Sequence, residues 1–345
     1  MAAIDICIFA RNERGNIRAI IDCLRAQDIF ANSDADVRVT ILANGCSDGT
    51  EAVATQAVAD FEIEDNFQVL VSPEAGKSRA WNRFTHGESR AGSDILVFCD
   101  ADITLPSCGA LRNLCELLVS NPEAKVAVSR PVKDLVLEAA AGERLATVER
   151  LILACTGTLD DPRSSLCGQL YAIRATSARM IHMPIGLPVE DGFLRAMVLT
   201  DLFQRDERLE AIVSSPDVYH VYRSERSVPA LLRHQIRIVI GGAVNYIVFD
   251  HVANMPKGGA VAALREASKD PAWLKTLLES RVPEWPYGYV PSHFLTKRIQ
   301  HFFAKDRGGS ALRRALAVTF GFGFDAVVYL GAQVKMSRGK AVGYW

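Results

Sequence analysis

Asp94-Ile95-Leu96-Val97-Phe98-Cys99-Asp100-Ala101-Asp102 is the segment on which the reading of this chain turns. Its first six residues form a short apolar run, rich in branched and aromatic side chains, which predicts a buried strand. A strand normally gives way to a solvated turn, but this one gives way to two carboxylates one residue apart. Such a pair offers hard oxygen ligands to a divalent cation. In an open α/β sheet, ligands collect at the carboxyl ends of strands, where these two acids fall. Acids after a strand also start ordinary turns. The chain holds a second such pair, Asp34-Ala35-Asp36, but ahead of a strand, at the wrong edge for a ligand.

Outward from this segment, apolar runs and helical periodicities alternate. Strands are predicted over 4–10, 37–43, 67–71, 94–99 and 125–129, and helices over 16–26, 50–61, 78–88 and 111–119. The alternation predicts an α/β fold, a mostly parallel sheet with helices on both faces. Past residue 131 it stops. A helix over 143–154, a turn at 160–162, a strand over 168–174 and a loop at 183–188 follow. Glu190-Asp191 then opens a helix running to 199, and 218–222 reads as a strand. Residues 228–249 read as one long apolar helix weakened by Gly241-Gly242, and 257–291 as a surface loop with one helix.

With 345 residues, 49% of them hydrophobic and 23% charged, the chain is of ordinary globular composition and long enough for a large core. Its eight cysteines include no Cys-x-x-Cys pair, which excludes the common zinc and dithiol spacings and favours a reducing cytoplasm. No basic region followed by a long apolar stretch opens the sequence, so no signal peptide is expected. Net charge is −1 but uneven: residues 291–345 hold nine Lys and Arg against two acids, a local +7 against −8 elsewhere. A basic end suits an anionic membrane surface or an anionic acceptor, and equally a solvated face that balances an acidic body. Residues 315–334 are long enough to span a bilayer, but Asp325 would cost about 2.5–3.5 kcal/mol there. A buried or interface-lying helix is the expectation, with peripheral membrane contact through 309–345 at the inner face of the cytoplasmic membrane.

The other strand ends carry chemistry as well. The first leads into Phe9-Ala10-Arg11-Asn12-Glu13, and the second into Asn44-Gly45-Cys46-Ser47-Asp48-Gly49-Thr50. There the glycines permit a tight turn, and Asp48 or Thr50 can cap the next helix. The third leads to Gly76-Lys77-Ser78-Arg79-Ala80-Trp81-Asn82, two cations where a nucleotide phosphate would need them. Further on, Glu190-Asp191 occupies a helix start, which the helix dipole alone would favour.

This ordered set resembles the family 2 glycosyltransferases of the GT-A fold, over roughly residues 4–223. The resemblance implies a catalytic domain over 1–223 and a variable, mostly helical region over 224–345. It implies transfer of a sugar from a nucleoside diphosphate sugar, UDP first among candidates, to a hydroxyl acceptor, whether glycan, lipid-linked or small molecule. Nucleic acid is not an expected partner. By the same resemblance, Ala10 and Glu13 line the nucleoside pocket, and Asn44 stands where many members have a base-contacting Asp. Lys77 and Arg79 approach the nucleotide, with Trp81 replacing a frequent Arg. Asp100 contacts ribose or the metal shell, and Asp102 ligates Mg²⁺ or Mn²⁺ directly. Asp191 is the general base, with Glu190 shaping its hydrogen bonds and His220 a third metal ligand. The family's Gln-x-x-Arg-Trp pattern is not met by Arg233-His234-Gln235-Ile236-Arg237, which argues against a processive synthase. Two other classes stay open: a sugar-phosphate nucleotidyltransferase and a non-catalytic nucleotide-sugar binder.

Overall fold

The computed structural model describes residues 2–31, 35–155, 166–256, 258–281, 288–296 and 311–342. The first half alternates as its sequence predicts: β1 Ala2–Ala10, α1 Ile17–Arg25, β2 Ala35–Asn44, α2 Thr50–Asp60, β3 Phe67–Ser72, α3 Lys77–Arg83 and β4 Ile95–Asp100. A two-residue strand, β5 Ile103–Thr104, then α4 Ala110–Val119 and β6 Val126–Lys133 follow. After these come α5 Asp134–Ala140, α6 Thr147–Cys155, β7 Leu170–Arg174, α7 Ala175–Met180, α8 Glu190–Leu199 and β8 Ile212–Tyr222. The chain then turns helical: α9 Val228–Ala253, α10 Gly259–Ala267, α11 Trp273–Arg281 and α12 Ala311–Ser337.

The eight strands form one sheet in the order β3-β2-β1-β4-β7-β6-β8-β5. β1 pairs in parallel with β2 on one side and β4 on the other, and both central strands are buried on both faces, hence their unbroken apolar runs. The chain runs outward from β1 to β3, then crosses back to place β4 on the opposite flank of β1. That reversal is a topological switch point, and it opens a crevice between the ends of β1 and β4, where Phe9 and Asp100 stand opposite each other.

β7 enters antiparallel to both β4 and β6. Its amino end therefore arrives at the edge where β4 ends, and Asp100 N donates to Gln169 O at 2.8 Å. β6 and β8 run parallel to one another, with Lys133 opposite Tyr222. The carboxyl ends of β1, β2, β3, β4, β6 and β8 and the amino end of β7 thus share one edge. Beneath it lies an aromatic layer: Phe98 stacks on Phe9, Trp81 and Tyr171 at 5.1–5.7 Å between ring centroids. Trp81 Nε1 donates to Tyr171 Oη at 2.9 Å, so its indole is a core element under the site.

Some boundaries depart from the sequence reading. α5 is unpredicted, because only Leu135 is buried along it and its acidic first residue reads as a turn. Two helices, α10 and α11, stand where one was expected. β6 and β8 are longer than predicted, and the turn expected at 160–162 lies outside the described residues. α9 runs unbroken through Gly241-Gly242. A Cβ at Gly242 would lie 2.7 Å from the Phe294 ring, and one at Gly241 would collide with Val189. The pair is a close-packing seam, and α9 uses it to reach the residue that precedes α8. One apolar cluster runs from Phe98, Val126 and Phe193 through Ile240, Val244 and Val248 of α9 to Val328, Ala332 and Met336 of α12. Among the described residues α9 is the one helix long and apolar enough to cross a membrane, yet its Ile236, Ile240, Ala243, Val244, Val248 and Val252 are buried in the protein.

Candidate active site

A cavity of about 590 Å³ lies at the shared strand edge. It is lined by Phe9, Arg11, Glu13, Asn44, Lys77, Asp100 and Asp102 on one side, and by Gly168, Glu190, Asp191, Arg223 and the start of α9 on the other. Its size is that of an ordinary ligand pocket.

Lys77 is the hub. Its Nζ lies 2.7 Å from Asp100 Oδ1 and 2.8 Å from Glu190 Oε1, and it donates to Gly168 O at 3.3 Å. It also sits 5.7 Å above the Phe9 ring. The first turn of α3 places it there: Asn44 Oδ1 accepts from Gly76 N at 2.7 Å and so fixes the turn, whose Gly76 has φ of 137°. A side chain at that φ would be strained. Lys77 thus ties the strand-end acid Asp100 to the helix-start acid Glu190, ninety residues away in sequence.

The electrostatics follow from burial over the aromatic layer. Burial raises Asp100 to about 7, against the pull of Lys77. Burial likewise pushes Asp191 up to about 6, helped by the Glu190 charge and opposed by the hydrogen bond that Gly192 N donates to Oδ1 at 2.6 Å. Glu190 responds the other way: burial pushes it up, but the ion pair with Lys77 outweighs this and leaves it below the usual range. Two adjacent acids are thereby split, one fixed as a carboxylate and one poised near neutrality. Gly168 makes room for them, since a Cβ there would lie 3.0 Å from Asp191 Cβ.

Asp102 is exposed in the cavity, just before β5. Among the described residues no three His, Cys, Asp or Glu side chains come together as a ready metal cage. Mg²⁺ and Mn²⁺ do not need one beside a diphosphate: one or two carboxylates, substrate oxygens and water suffice. Asp102, with Asp100 beside it, supplies that donor set, so the residues present fit a hard divalent ion.

Three predicted site residues fall elsewhere. Ala10 is fully buried in the cluster around α1, because side chains alternate along a strand and Phe9 and Arg11 face the cavity instead. Arg79 is not among the lining residues; two positions past Lys77 on a helix, it turns away and pairs with Glu74 at 2.9 Å. His220 is fully buried outside the cavity, with Nδ1 2.9 Å from Ser129 Oγ and Nε2 3.3 Å from Gln169 Oε1. Burial lowers it to about 4, as befits a neutral structural histidine and not a third ligand. Glu13 does line the cavity, half-buried and raised by that burial, accepting from Asn16 Nδ2 at 2.7 Å. Asp48, one residue before the Gly49 cap of α2, accepts from Thr50 N at 3.0 Å. Asp36 pairs with Arg90 at the far edge, while Asp34 lies outside the described residues. The cavity cations Arg11, Lys133, Arg223 and Arg237 carry no predicted role, although strand alternation points to the first two through Phe9 and Pro131.

The model of the family described as "Glycosyl transferase family 2" matches residues 5–151. Among solved structures, the mannosyltransferase PcManGT from Pyrobaculum calidifontis, in complex with GDP-Man and Mn²⁺, is 14% identical and covers 96% of this chain and 86% of that one, with a TM-score of 0.57. Glucosyl-3-phosphoglycerate synthase from Mycobacterium tuberculosis, in complex with phosphoglyceric acid, is 21% identical over 75% of this chain and 82% of that one, with a TM-score of 0.49. At 14% identity the likeness to the mannosyltransferase speaks to the fold alone. No curated protein matches. The family match falls on the strands that deliver Glu13, Lys77, Asp100 and Asp102 to the cavity and spans less than half of the chain, and the structural likeness adds the fold, GT-A-like with a helical C-terminal region.

Proposed function

We propose that this protein is a metal-dependent, inverting glycosyltransferase, which moves one sugar from a nucleoside diphosphate donor to a hydroxyl acceptor. The observation that carries the reading is that Asp102 and Asp191 open onto one cavity, joined by the Asp100–Lys77–Glu190 bridge. Asp102 and Asp100 would hold Mg²⁺ or Mn²⁺, which supplies a Lewis acid to the departing diphosphate. Phe9, Glu13 and Asn44 border the nucleoside side, with UDP the first candidate. Arg11 and Arg223 bring guanidinium charge to the diphosphate, Arg223 close enough to act on Glu13.

Asp191 takes the proton of the acceptor hydroxyl. The hydroxyl oxygen bonds the anomeric carbon from the face opposite the leaving group. The bond from that carbon to the diphosphate oxygen breaks, and the diphosphate departs with the electron pair. Glu190, held by Lys77, keeps the Asp191 helix start in place, and positioning both substrates in one crevice supplies much of the acceleration.

The test is a thermal-shift panel of UDP, GDP and ADP with and without Mn²⁺, on wild type and Asp102→Asn. Wild type should be stabilised by one nucleotide, more strongly with Mn²⁺, and Asp102→Asn should lose about tenfold or more of the Mn²⁺-dependent part of the affinity. Equal stabilisation of both proteins, with and without the ion, would overturn the metal role. Cellular placement belongs to the same proposal: a cytoplasmic enzyme, with α12 resting on the membrane. Val327, Leu330 and Val334 form an exposed stripe on α12, followed by exposed Arg338 and Lys340. Cell fractionation after truncation before Gly309 tests it, and an unchanged distribution would remove the membrane contact.

A further inference from the structure

Lys133 and Arg237, with the neutral His234 beside them, form a basic wall for which the donor chemistry above has no use. Lys133 ends β6, and Pro131, two residues earlier, lines the same cavity. His234 and Arg237 lie three residues apart on α9, hence on one helix face, and both line the cavity that holds Asp191. All three are half-buried, and among the described residues none has an ion-pair or hydrogen-bond partner.

The cavity is polarised. Glu13, Asp100, Asp102, Glu190 and Asp191 come from the ends of β1 and β4 and the start of α8, while Glu225 alone among the lining acids sits with the cations. Asp134, next to Lys133, is already paired with Arg226 at 2.8 Å. Arg237 acts electrostatically on both Glu190 and Asp191, while burial and then the Arg237 charge hold His234 below the usual imidazole range, leaving it a neutral hydrogen-bonding group between the two cations. The wall is therefore continuous from Lys133 to the edge of the base.

Half-buried cations without partners are costly unless something pairs with them. A neutral hydroxyl acceptor would not. A phosphate or carboxylate would, through charge-assisted hydrogen bonds. Resting on the transferase reading above, we infer that the acceptor is an anionic hydroxyl compound. Its phosphate or carboxylate is seated on Lys133, His234 and Arg237 while its hydroxyl meets Asp191. The transfer step is unchanged, and the wall decides which hydroxyl is offered.

The experiment uses the full chain, loaded with Mn²⁺ and the nucleoside diphosphate that stabilises it most. Inorganic phosphate and acetate are titrated separately at constant ionic strength by calorimetry. Wild type binds at least one anion saturably, and Arg237→Gln and Lys133→Gln weaken that binding by about tenfold. Nucleotide affinity in both variants stays within about twofold. Preference for phosphate identifies a phosphorylated acceptor, and preference for acetate a carboxylated one. His234→Gln replaces either variant that melts early, since its ring gives up no partner.

Loaded wild type that binds neither anion would overturn the inference. So would variants that lose nucleotide and anion together, because the cations would then serve the donor. If no nucleotide binds wild type, the transferase reading fails by itself, and the same titration of unloaded protein still reports on the wall.

Discussion

The two sides of the cavity hold their charges in opposite ways. On the β1–β4 side a network of groups is engaged with one another: Lys77 with Asp100 and Glu190, Asn44 with Gly76, Asp48 with Thr50. Of the charged lining residues there, only Arg11 and Asp102, assigned above to the diphosphate and the metal, have no hydrogen-bond or ion-pair partner among the described residues. On the β6–α9 side, Lys133, His234 and Arg237 reach the same space with no protein partner among the described residues. Groups engaged with each other are pre-organised by folding and can act without rearranging. Groups without partners keep their binding capacity for a ligand. The first side therefore reads as machinery common to the reaction, and the second as the place where this chain selects its substrate.

The sharpest way to break that comparison is Asp191→Asn. Loss of the base should lower transfer by about a thousandfold, while nucleotide affinity on the β1–β4 side stays intact. A variant with near-normal turnover would remove Asp191 from the mechanism. The pH profile gives a second reading of the same group. Because burial raises Asp191 to about 6, it is protonated below that value and ionised above it. Transfer should therefore fall on the acid side, by about tenfold per pH unit from Asp191 alone and more steeply where Asp100, raised to about 7, is protonated as well. An acid limb centred near 4 would contradict the burial of Asp191.

Next in size is Lys77→Met, which asks whether the engaged side depends on its hub. Removing the ammonium leaves Asp100 and Glu190 facing each other, both mostly buried. Breaking such a buried pair by deleting one partner costs about 3 kcal/mol. Chemical denaturation should show that loss, and a change within experimental scatter would mean that water takes the place of Lys77.

Much of the engaged side is legible in the sequence. β1, β4 and the second half of β2 are buried on both faces and β3 is short and largely apolar, so the strand ends, and with them Glu13, Lys77, Asp100 and Asp102, can be located. The Lys77 bridge is not legible. It depends on β7 entering antiparallel, which brings Gly168 and Glu190 beside β4, and no local pattern records a pairing across ninety residues. Ala10 and Arg79 are misplaced for a local reason: each lies near the correct residue in sequence but on the wrong face of its strand or helix. The cationic wall stays hidden because the stretch from Arg233 to Arg237, compared with a motif, shows only a missing Trp. Read as a helix face, it shows two basic groups three residues apart.

Gly168→Ala probes the seam between the two sides with a smaller effect. The added methyl would lie 3.0 Å from Asp191 Cβ and 3.3 Å from Glu190 Oε1, so the base must shift by a few tenths of an ångström. Transfer should drop by about tenfold with nucleotide affinity unchanged, since misplacing a reacting group costs rate before binding. An equal loss in both would show that the β7 entry supports the nucleotide side as well.

His220→Gln carries the smallest expected effect and guards the boundary of the engaged side. The ring bonds Ser129 and Gln169 beneath the cavity wall, and glutamine can keep part of that pairing. The loss should be about 1 kcal/mol in stability. Because the histidine lies outside the cavity, the Mn²⁺ concentration for half-maximal transfer should move by no more than about twofold, well short of what loss of a ligand would cause. A tenfold rise would bring His220 into the metal shell and require the β8 end to turn its ring outward on substrate binding. In that case the paired state of a side chain in the folded chain would no longer separate common machinery from substrate selection.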